Sequence, residues 1–367
     1  MQFIPLASPN ILDKDIQEVV DVLKTGMLVQ GKKVLELETN VGNFVQAKHV
    51  AAVSNGTATM HLALIALGIG PGDEVIVPAF SYIATANVVE LVGATPIFVD
   101  INIRTFNIDL SQIESKITAK TKAIIPVHEF GLACEILEIM QLADKHKLFV
   151  IEDAACALGA KYKGINVGTF GHFGSFSLHP RKAISSGEGG LLVCKSVNYL
   201  NKIQILRNHG IELQNGKMDF VAAGFNYRMT DFQAALVNSQ LQRLNDTLIY
   251  KNDLANTYFE HLDGAKMNLP ETPDHCTHTW QTFHVLLDPK IDRDAIIDQL
   301  KNKGIGTNYG AQCIPAQTFY HQKYGFDSQR QFPNAYYAYT SGIAIPLYEK
   351  LSKEDISYIA KELNKLV

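Results

Sequence analysis

Residues 148–190 read LFVIEDAACALGAKYKGINVGTFGHFGSFSLHPRKAISSGEGG. Phe149-Val150-Ile151 is a short apolar, β-branched run, the mark of a buried parallel strand. It ends in Glu152-Asp153, followed by Ala154 and Ala155. Acids directly after a buried strand sit at its carboxyl end, where open α/β sheets hold their ligands. Residues 174–178 read as a second strand. It runs into His179-Pro180-Arg181-Lys182 and then the flexible Gly187-Glu188-Gly189-Gly190. The stretch therefore predicts two strand ends that bring an acid and a lysine to one edge of a sheet.

Taken singly, Asp153 and Lys182 also fit an ordinary acid and a solvated surface lysine, the usual fate of that residue type. Taken together they suit one chemistry. An acid opposite a pyridine nitrogen keeps that nitrogen protonated, and a lysine amine opposite an aldehyde forms a Schiff base. With a phosphate cradle, these are what pyridoxal 5'-phosphate (PLP) asks of a protein. A cradle is on offer upstream: residues 50–53 read as a strand, Ser54-Asn55-Gly56-Thr57-Ala58 as a small-residue turn, and residues 60–67 as a helix. Such a turn presents free N–H groups and the positive end of the helix dipole to an anion. It fits equally a plain helix cap by Ser54 or Thr57.

Strand and helix alternate around this centre. Ile16, Val19, Val20 and Leu23 mark one amphipathic helix, and Val34, Leu37, Val41 and Phe44 a second. Strands are expected at 74–77, 96–99 and 122–127, with helices at 83–92 and 135–145. This alternation predicts a parallel α/β sheet. Gly68-Ile69-Gly70-Pro71-Gly72 is a connecting loop rather than a dinucleotide fingerprint, because it follows a helix and contains Pro71. Downstream we expect a strand at 190–194, a helix at 198–207 and one long helix at 231–262. Composition then changes, with a strand at 280–287, a helix at 293–303, a strand end at 306–309 and a last helix capped by Ser352. Residues 1–245 are expected to form a large domain and 246–367 a small α+β domain.

The bulk properties exclude several classes. Hydrophobic residues make up 47% of the 367 and charged ones 19%, enough for a sizeable core. A net charge of -4 gives no footprint for nucleic acid or an anionic membrane surface. The 12 histidines form no H-E-x-x-H pattern, so no metal is expected. The five cysteines are odd in number and lack C-x-x-C, which points to a reducing, cytoplasmic setting. The opening MQFIPLASPNILDKD does not read as a signal peptide, and no apolar run approaches a membrane span.

The central stretch resembles the DegT-type sugar-nucleotide aminotransferases, within the aspartate aminotransferase fold (PLP fold type I). The resemblance rests on E-D-A-A at 152–155 and on S-F-x-x-H-P-x-K-x-x-x-x-G-E-G-G at 175–190. It continues through S-N-G-T-A at 54–58, the aromatic of P-x-x-x-aromatic at Tyr82, H-x-x-G at 128–131 and G-x-N-x-R-M-T-D at 224–231. It implies a mostly parallel seven-stranded sheet between helices, plus a small C-terminal α+β domain. Lys182 is implied as the Schiff-base lysine and Asp153 as the partner of the pyridine nitrogen. Gly56, Thr57, Ala58 and Ser177 are implied at the phosphate, Tyr82 and Ala155 on the two ring faces, and His128 nearby. Asn226 would reach the PLP phosphate of the opposite subunit in a homodimer. Arg228 would either neutralise a phosphate or hold its loop.

By the same resemblance the amino donor is glutamate. The acceptor is a dTDP- or GDP-linked 4-keto-6-deoxyhexose, aminated at C-4 as by perosamine synthases. Amination at C-3, a sugar dehydratase (whose relatives carry histidine in place of the lysine) and a non-catalytic sensor are the rival readings. One departure stands out. Cys156 occupies a place often held by Gln or Glu, which can hydrogen-bond the cofactor's phenolic oxygen. A thiol is a weak donor, so either that oxygen is tuned differently or another group supplies the bond.

Overall fold

The structure, a computed structural model, describes residues 3–367. Seven strands form the main sheet: β1 (Val50–Val53), β2 (Glu74–Pro78), β3 (Thr95–Val99), β4 (Thr121–Ile124), β5 (Phe149–Asp153), β6 (Phe173–Ser177) and β7 (Gly190–Cys194). Their order is β1-β7-β6-β5-β4-β2-β3, and only β7 runs against its neighbours. This is the mostly parallel seven-stranded sheet that the resemblance implies.

The strands are continuous apolar runs because helices cover both faces. Successive side chains alternate between two cores. Val75, Val77, Ile151 and Leu192 face one core, shared with helix Ala84–Leu91 and with helix α3 (Gly56–Ala66), which follows α1 (Asp13–Thr25) and α2 (Lys32–Val45) in the chain. Ile76, Val150, Leu191 and Val193 face the other, shared with helices Lys32–Val45 and Ile136–His146. Fully burying one such side chain contributes about 1.5–3 kcal/mol, and a one-residue slip would exchange the faces of a whole strand. The alternation also governs the polar end of β5. Glu152 follows Val150 to the second face, and Asp153 follows Ile151 to the first.

Four elements differ from expectation. β4 stops at Ile124 instead of 127, because Pro126 has no N–H to continue a ladder. Beyond it, Val127 and Asp153 make one isolated bridge. The long helix expected over 231–262 is two, Asp231–Leu241 and Leu244–His261. The break falls at Arg243, whose guanidinium turns to the buried Asp15 at 2.6 Å and to Asn10 O at 2.8 Å. The strand expected at 280–287 begins only at Phe283, since Trp280 has φ 49° and stacks on His278 at 3.8 Å. Residues 306–309 make only a single bridge, Asn308 to Ala344.

The C-terminal part has its own core. Strand Phe283–Leu287 lies between Met267–Asn268 and Gly342–Ile345, all antiparallel, and helices Leu244–His261, Arg293–Asn302 and Lys353–Leu366 pack against them. Ser352 and Asp355 form a reciprocal capping box on the last helix, as expected. Residues 312–338 behave differently and return to the main sheet's first core. Gln312–Cys313 pairs with Phe80–Ser81, and Asp100 accepts from the amides of Asn334 (3.0 Å) and Ala335 (2.8 Å).

Candidate active site

Glu152 and Asp153 are neighbours on β5 with opposite surroundings. Glu152 is wholly buried and accepts from the amides of Gly168 (2.7 Å), Phe170 (2.8 Å) and Gly171 (2.8 Å). Its fourth partner is His128 Nε2 at 3.0 Å. His128 Nδ1 receives the Cys134 amide at 3.1 Å, so the ring proton must sit on Nε2 and point at Glu152. His128 therefore ties the turn after β4 to the loop before β6, and its own amide donates to Asp153 O at 3.0 Å.

Asp153 points to the open end of the sheet's first face. Thr85 Oγ1 donates to its Oδ2 at 2.8 Å, and the Ala155 amide to its Oδ1 at 3.2 Å. Burial raises its carboxyl above the ordinary range, opposed by these bonds and by the charge of Lys182. Lys182 arrives from the loop after β6. A turn closed by its amide on His179 O at 2.8 Å sets its direction, and Gln281 Nε2 holds the neighbouring Arg181 carbonyl at 3.0 Å. Its Nζ donates to Cys156 Sγ at 3.0 Å. Burial raises the Cys156 thiol, so it stays neutral beside the ammonium.

The turn between β1 and α3 lies alongside. Its cap is Asn55, whose Oδ1 accepts the Ala58 amide at 2.8 Å; neither Ser54 nor Thr57 is the cap. That bond occupies the Ala58 amide and leaves those of Gly56 and Thr57 as the first of the helix, without intrahelical partners. A Cβ on Gly56 would lie 2.9 Å from Ser177 Cβ, so only glycine lets the turn approach the end of β6 this closely. Thr59 and Ser175 join hydroxyls below it and lock α3 to β6.

Tyr82 follows the short strand Phe80–Ser81 and is 66% exposed. Asn226 is also exposed. An antiparallel bridge between Val53 and Arg228, with the Ser54 amide on Tyr227 O at 2.8 Å, sets Asn226 beside the β1–α3 turn of its own chain. Arg228 Nη1 donates to Asn208 Oδ1 at 2.6 Å, which makes it a holder of this loop.

Two ionisable residues at the site were not singled out from sequence. Lys251 lies in the cleft beside Lys182, Glu349 and Gln281, and burial brings its amine down to about 8. Glu129 is buried, and its Oε2 has no partner. The signal for Glu129 was present, since an acid follows the end of β4 much as Glu152 and Asp153 end β5.

An orphaned buried acid, a glycine cradle at a helix N-terminus, a buried aspartate and a lysine converge at one strand edge. These residues fit PLP, and with this sheet order they define a PLP-dependent enzyme of fold type I. The chain belongs to the DegT/DnrJ/EryC1/StrS aminotransferase family, which it matches over residues 9–364. GDP-perosamine synthase of Escherichia coli O157:H7 is 35% identical over 366 residues, covering 100% of this chain and 99% of that protein. The spore coat polysaccharide biosynthesis protein SpsC of Bacillus subtilis is 35% identical, covering 100% and 97%. Among solved structures, the PLP form of Spr1654 from Streptococcus pneumoniae superposes with a TM-score of 0.94 at 32% identity, covering 99% of this chain and 98% of that one. The protein is a PLP-dependent sugar aminotransferase that works between an amino donor and a nucleotide-linked keto sugar. Among the described residues, no helix is long and apolar enough to cross a membrane, and no cluster of side chains suits a metal.

Proposed function

We propose that this enzyme transfers an amino group from glutamate to C-4 of a nucleotide-linked 4-keto-6-deoxyhexose. The product would be a 4-amino-4,6-dideoxy sugar for a surface polysaccharide or glycoside, made in the cytoplasm. The observation that carries the chemistry is the convergence of buried Asp153 with Lys182 at the edge formed by β5 and β6. The end-to-end similarity to GDP-perosamine synthase supports the C-4 acceptor.

When bound, PLP supplies an aldehyde and a ring that draws electrons away from the reacting carbon. Lys182 is the amine that would meet the aldehyde, and its free amine would be the base that carries the proton to and from carbon. Asp153, held by Thr85, keeps a proton on the ring nitrogen. Gly56, Thr57 and Ser177 bind the phosphate at the positive end of α3. Tyr82 and Ala155 cover the two ring faces. The partner subunit's Asn226 completes the phosphate site in a homodimer.

The test is a panel of dTDP-, GDP- and UDP-linked keto sugars offered with glutamate, with product analysis by mass and NMR. One 4-keto-6-deoxy sugar should gain an amine at C-4, and glutamate alone should shift the visible band of the loaded enzyme. Amination confined to a 3-keto sugar would overturn the regiochemistry.

A further inference from the structure

Glu129 stands where a carboxyl group is costly unless it is used. It is 4% exposed, and a buried acid without partners is a large penalty. Its position is held from several sides. The Glu129 amide donates to Asn107 Oδ1 at 2.8 Å, and Asn107 in turn donates to the carbonyls of Leu132 (3.2 Å) and Ala133 (3.0 Å). The next residue, Phe130, has φ 56°, a strained conformation for an aromatic, and its carbonyl is clamped by the amide of Gln281 at 3.0 Å. Gly131 follows at φ 98°, where a Cβ would collide with Thr279. A backbone this constrained fixes where the Glu129 side chain goes.

The carboxyl faces the site. Asp153 and Lys182 are the charges that act on it, and it acts in turn on Cys156. Ser81 stands against it. Glu129 also lines a small cavity whose other charged and titratable residues are Arg104, Glu271, His278 and His284. Both histidines are kept neutral by burial. Ser81 Oγ lies 3.2 Å from Thr85 Oγ1, which donates to Asp153. With Thr85's proton given to Asp153, Ser81 must give its own to Thr85. It then has none to offer a Glu129 carboxylate. Burial first, and Asp153 second, push the Glu129 carboxyl up to about 8 against the pull of Lys182. The group is thus a neutral acid at pH 7, and Oε2 is its unpartnered oxygen.

The phenolic oxygen of PLP sits on the ring carbon next to the one that bears the aldehyde, and so beside the bond to lysine. Cys156, in contact with Lys182 Nζ, is the neighbour on that side, and a thiol is a weak donor. We propose that Glu129 is the acid that hydrogen-bonds the phenolic oxygen of PLP, the bond that Cys156 gives poorly.

The inference rests on the reading of Lys182 as the cofactor's lysine, and one experiment separates the two. The visible band of PLP-loaded protein is titrated with pH in the absence of amino donor. A donor at the phenolic oxygen stabilises its anionic form and lowers the pH at which the lysine link loses its proton. In Glu129→Leu the midpoint should rise by about one to two pH units, the worth of a hydrogen bond to a charged oxygen. Glu129→Gln keeps a neutral donor and should titrate close to wild type. Adding Cys156→Gln to Glu129→Leu should bring the midpoint back. If Glu129→Leu fails to fold, Glu129→Asp decides instead, because it draws the acid back by one methylene and must also raise the midpoint. An unmoved midpoint, or equal shifts in Leu and Gln without rescue, overturns the proposal and leaves Lys182 standing. A lysine-type band that persists in Lys182→Ala overturns both.

Discussion

Two polar clusters lie back to back at the end of β5. On one face Glu152 is saturated by three amides and His128, with nothing left to bond. On the other, Asp153, Lys182, Cys156 and Glu129 are loosely matched: Lys182 rests on a thiol, and Glu129 has an oxygen with no partner. Both clusters are buried carboxylate systems on adjacent residues of one strand, so burial does not distinguish them. Saturation does. A filled network holds loops in place, whereas an underfilled one keeps free hydrogen-bonding capacity for a ligand.

The comparison breaks most directly at Lys182. Lys182→Ala should lose both the pH-sensitive visible band and turnover, with activity down by about 10⁴ or more, since it removes nucleophile and base together. Thermal unfolding of the protein without cofactor should be almost unchanged, because the side chain is half-buried and, among the described residues, bonded only to Cys156. Substantial residual transamination would end the assignment. Asp153→Asn comes next. It should still bind PLP but lose about 10²–10³ in kcat, the usual cost of a well-placed charge-stabilising group. Near-wild-type kinetics would show that Asp153 is not the ring's partner.

Glu152→Gln tests the saturated side. An amide NH₂ cannot accept, so one or more of the donors around it loses its partner. The expected loss is on the order of 3 kcal/mol in denaturant unfolding, seen as a lower midpoint with unchanged slope. Turnover per folded, loaded molecule should fall far less than in Asp153→Asn. If chemistry suffers more than stability, the division between the two faces fails.

The contrast also explains what was legible in the sequence. The acid after Ile151 and the lysine after β6 were readable because a buried strand ends in only one way, with its polar residues at the sheet's edge. The alternation that sends Glu152 and Asp153 apart is readable too, but its consequence is not. The partners of Glu152 come from 128 and 168–171, and only the fold brings these together. His128 was expected near the cofactor only through the H-x-x-G resemblance, and its bond to Glu152 had no signal in the sequence. The split at Arg243 was hidden because the carboxylate its guanidinium turns to, Asp15, lies more than 200 positions away. The return of residues 312–338 to the main core has no local signature either, as Tyr320 and Phe332 would suit any core. Glu129 was missed because an acid beside a histidine looks like a solvated turn until its burial is known.

Stability against pH sharpens the comparison from the underfilled side. The folded value of Glu129, about 8, lies above its ordinary 4.5. Its contribution is therefore intact below about pH 4.5 and lost as pH rises through 8. In protein without cofactor, Glu129→Gln should match wild type near pH 4.5 and become relatively more stable towards pH 9, by on the order of 5 kcal/mol. Denaturant midpoints at pH 5, 7 and 9 measure this. Curves that stay parallel would mean that the carboxyl is solvated and not part of the buried cluster.

The smallest effect belongs to Asn226, and it asks whether the underfilled site is completed by a second chain. Asn226 is exposed and lies beside its own β1–α3 turn, bonded through the backbone of the loop that Arg228 holds. The amides of Gly56 and Thr57 with Ser177 leave room for a further phosphate donor. Asn226→Ala should weaken cofactor retention by about 10-fold, one hydrogen bond to a charged group, without changing the unfolding midpoint. Complementation then tells whose phosphate it serves. Lys182→Ala and Asn226→Asp, the latter placing a carboxylate against the phosphate, should each be inactive alone. In a two-fold dimer with shared sites, a hybrid carries both lesions in one site and neither in the other. Mixing the two variants under conditions that exchange subunits should therefore restore part of the activity. If hybrids form, as native mass spectrometry would show, and activity stays at the parental level, Asn226 serves its own chain and each site is complete within one subunit.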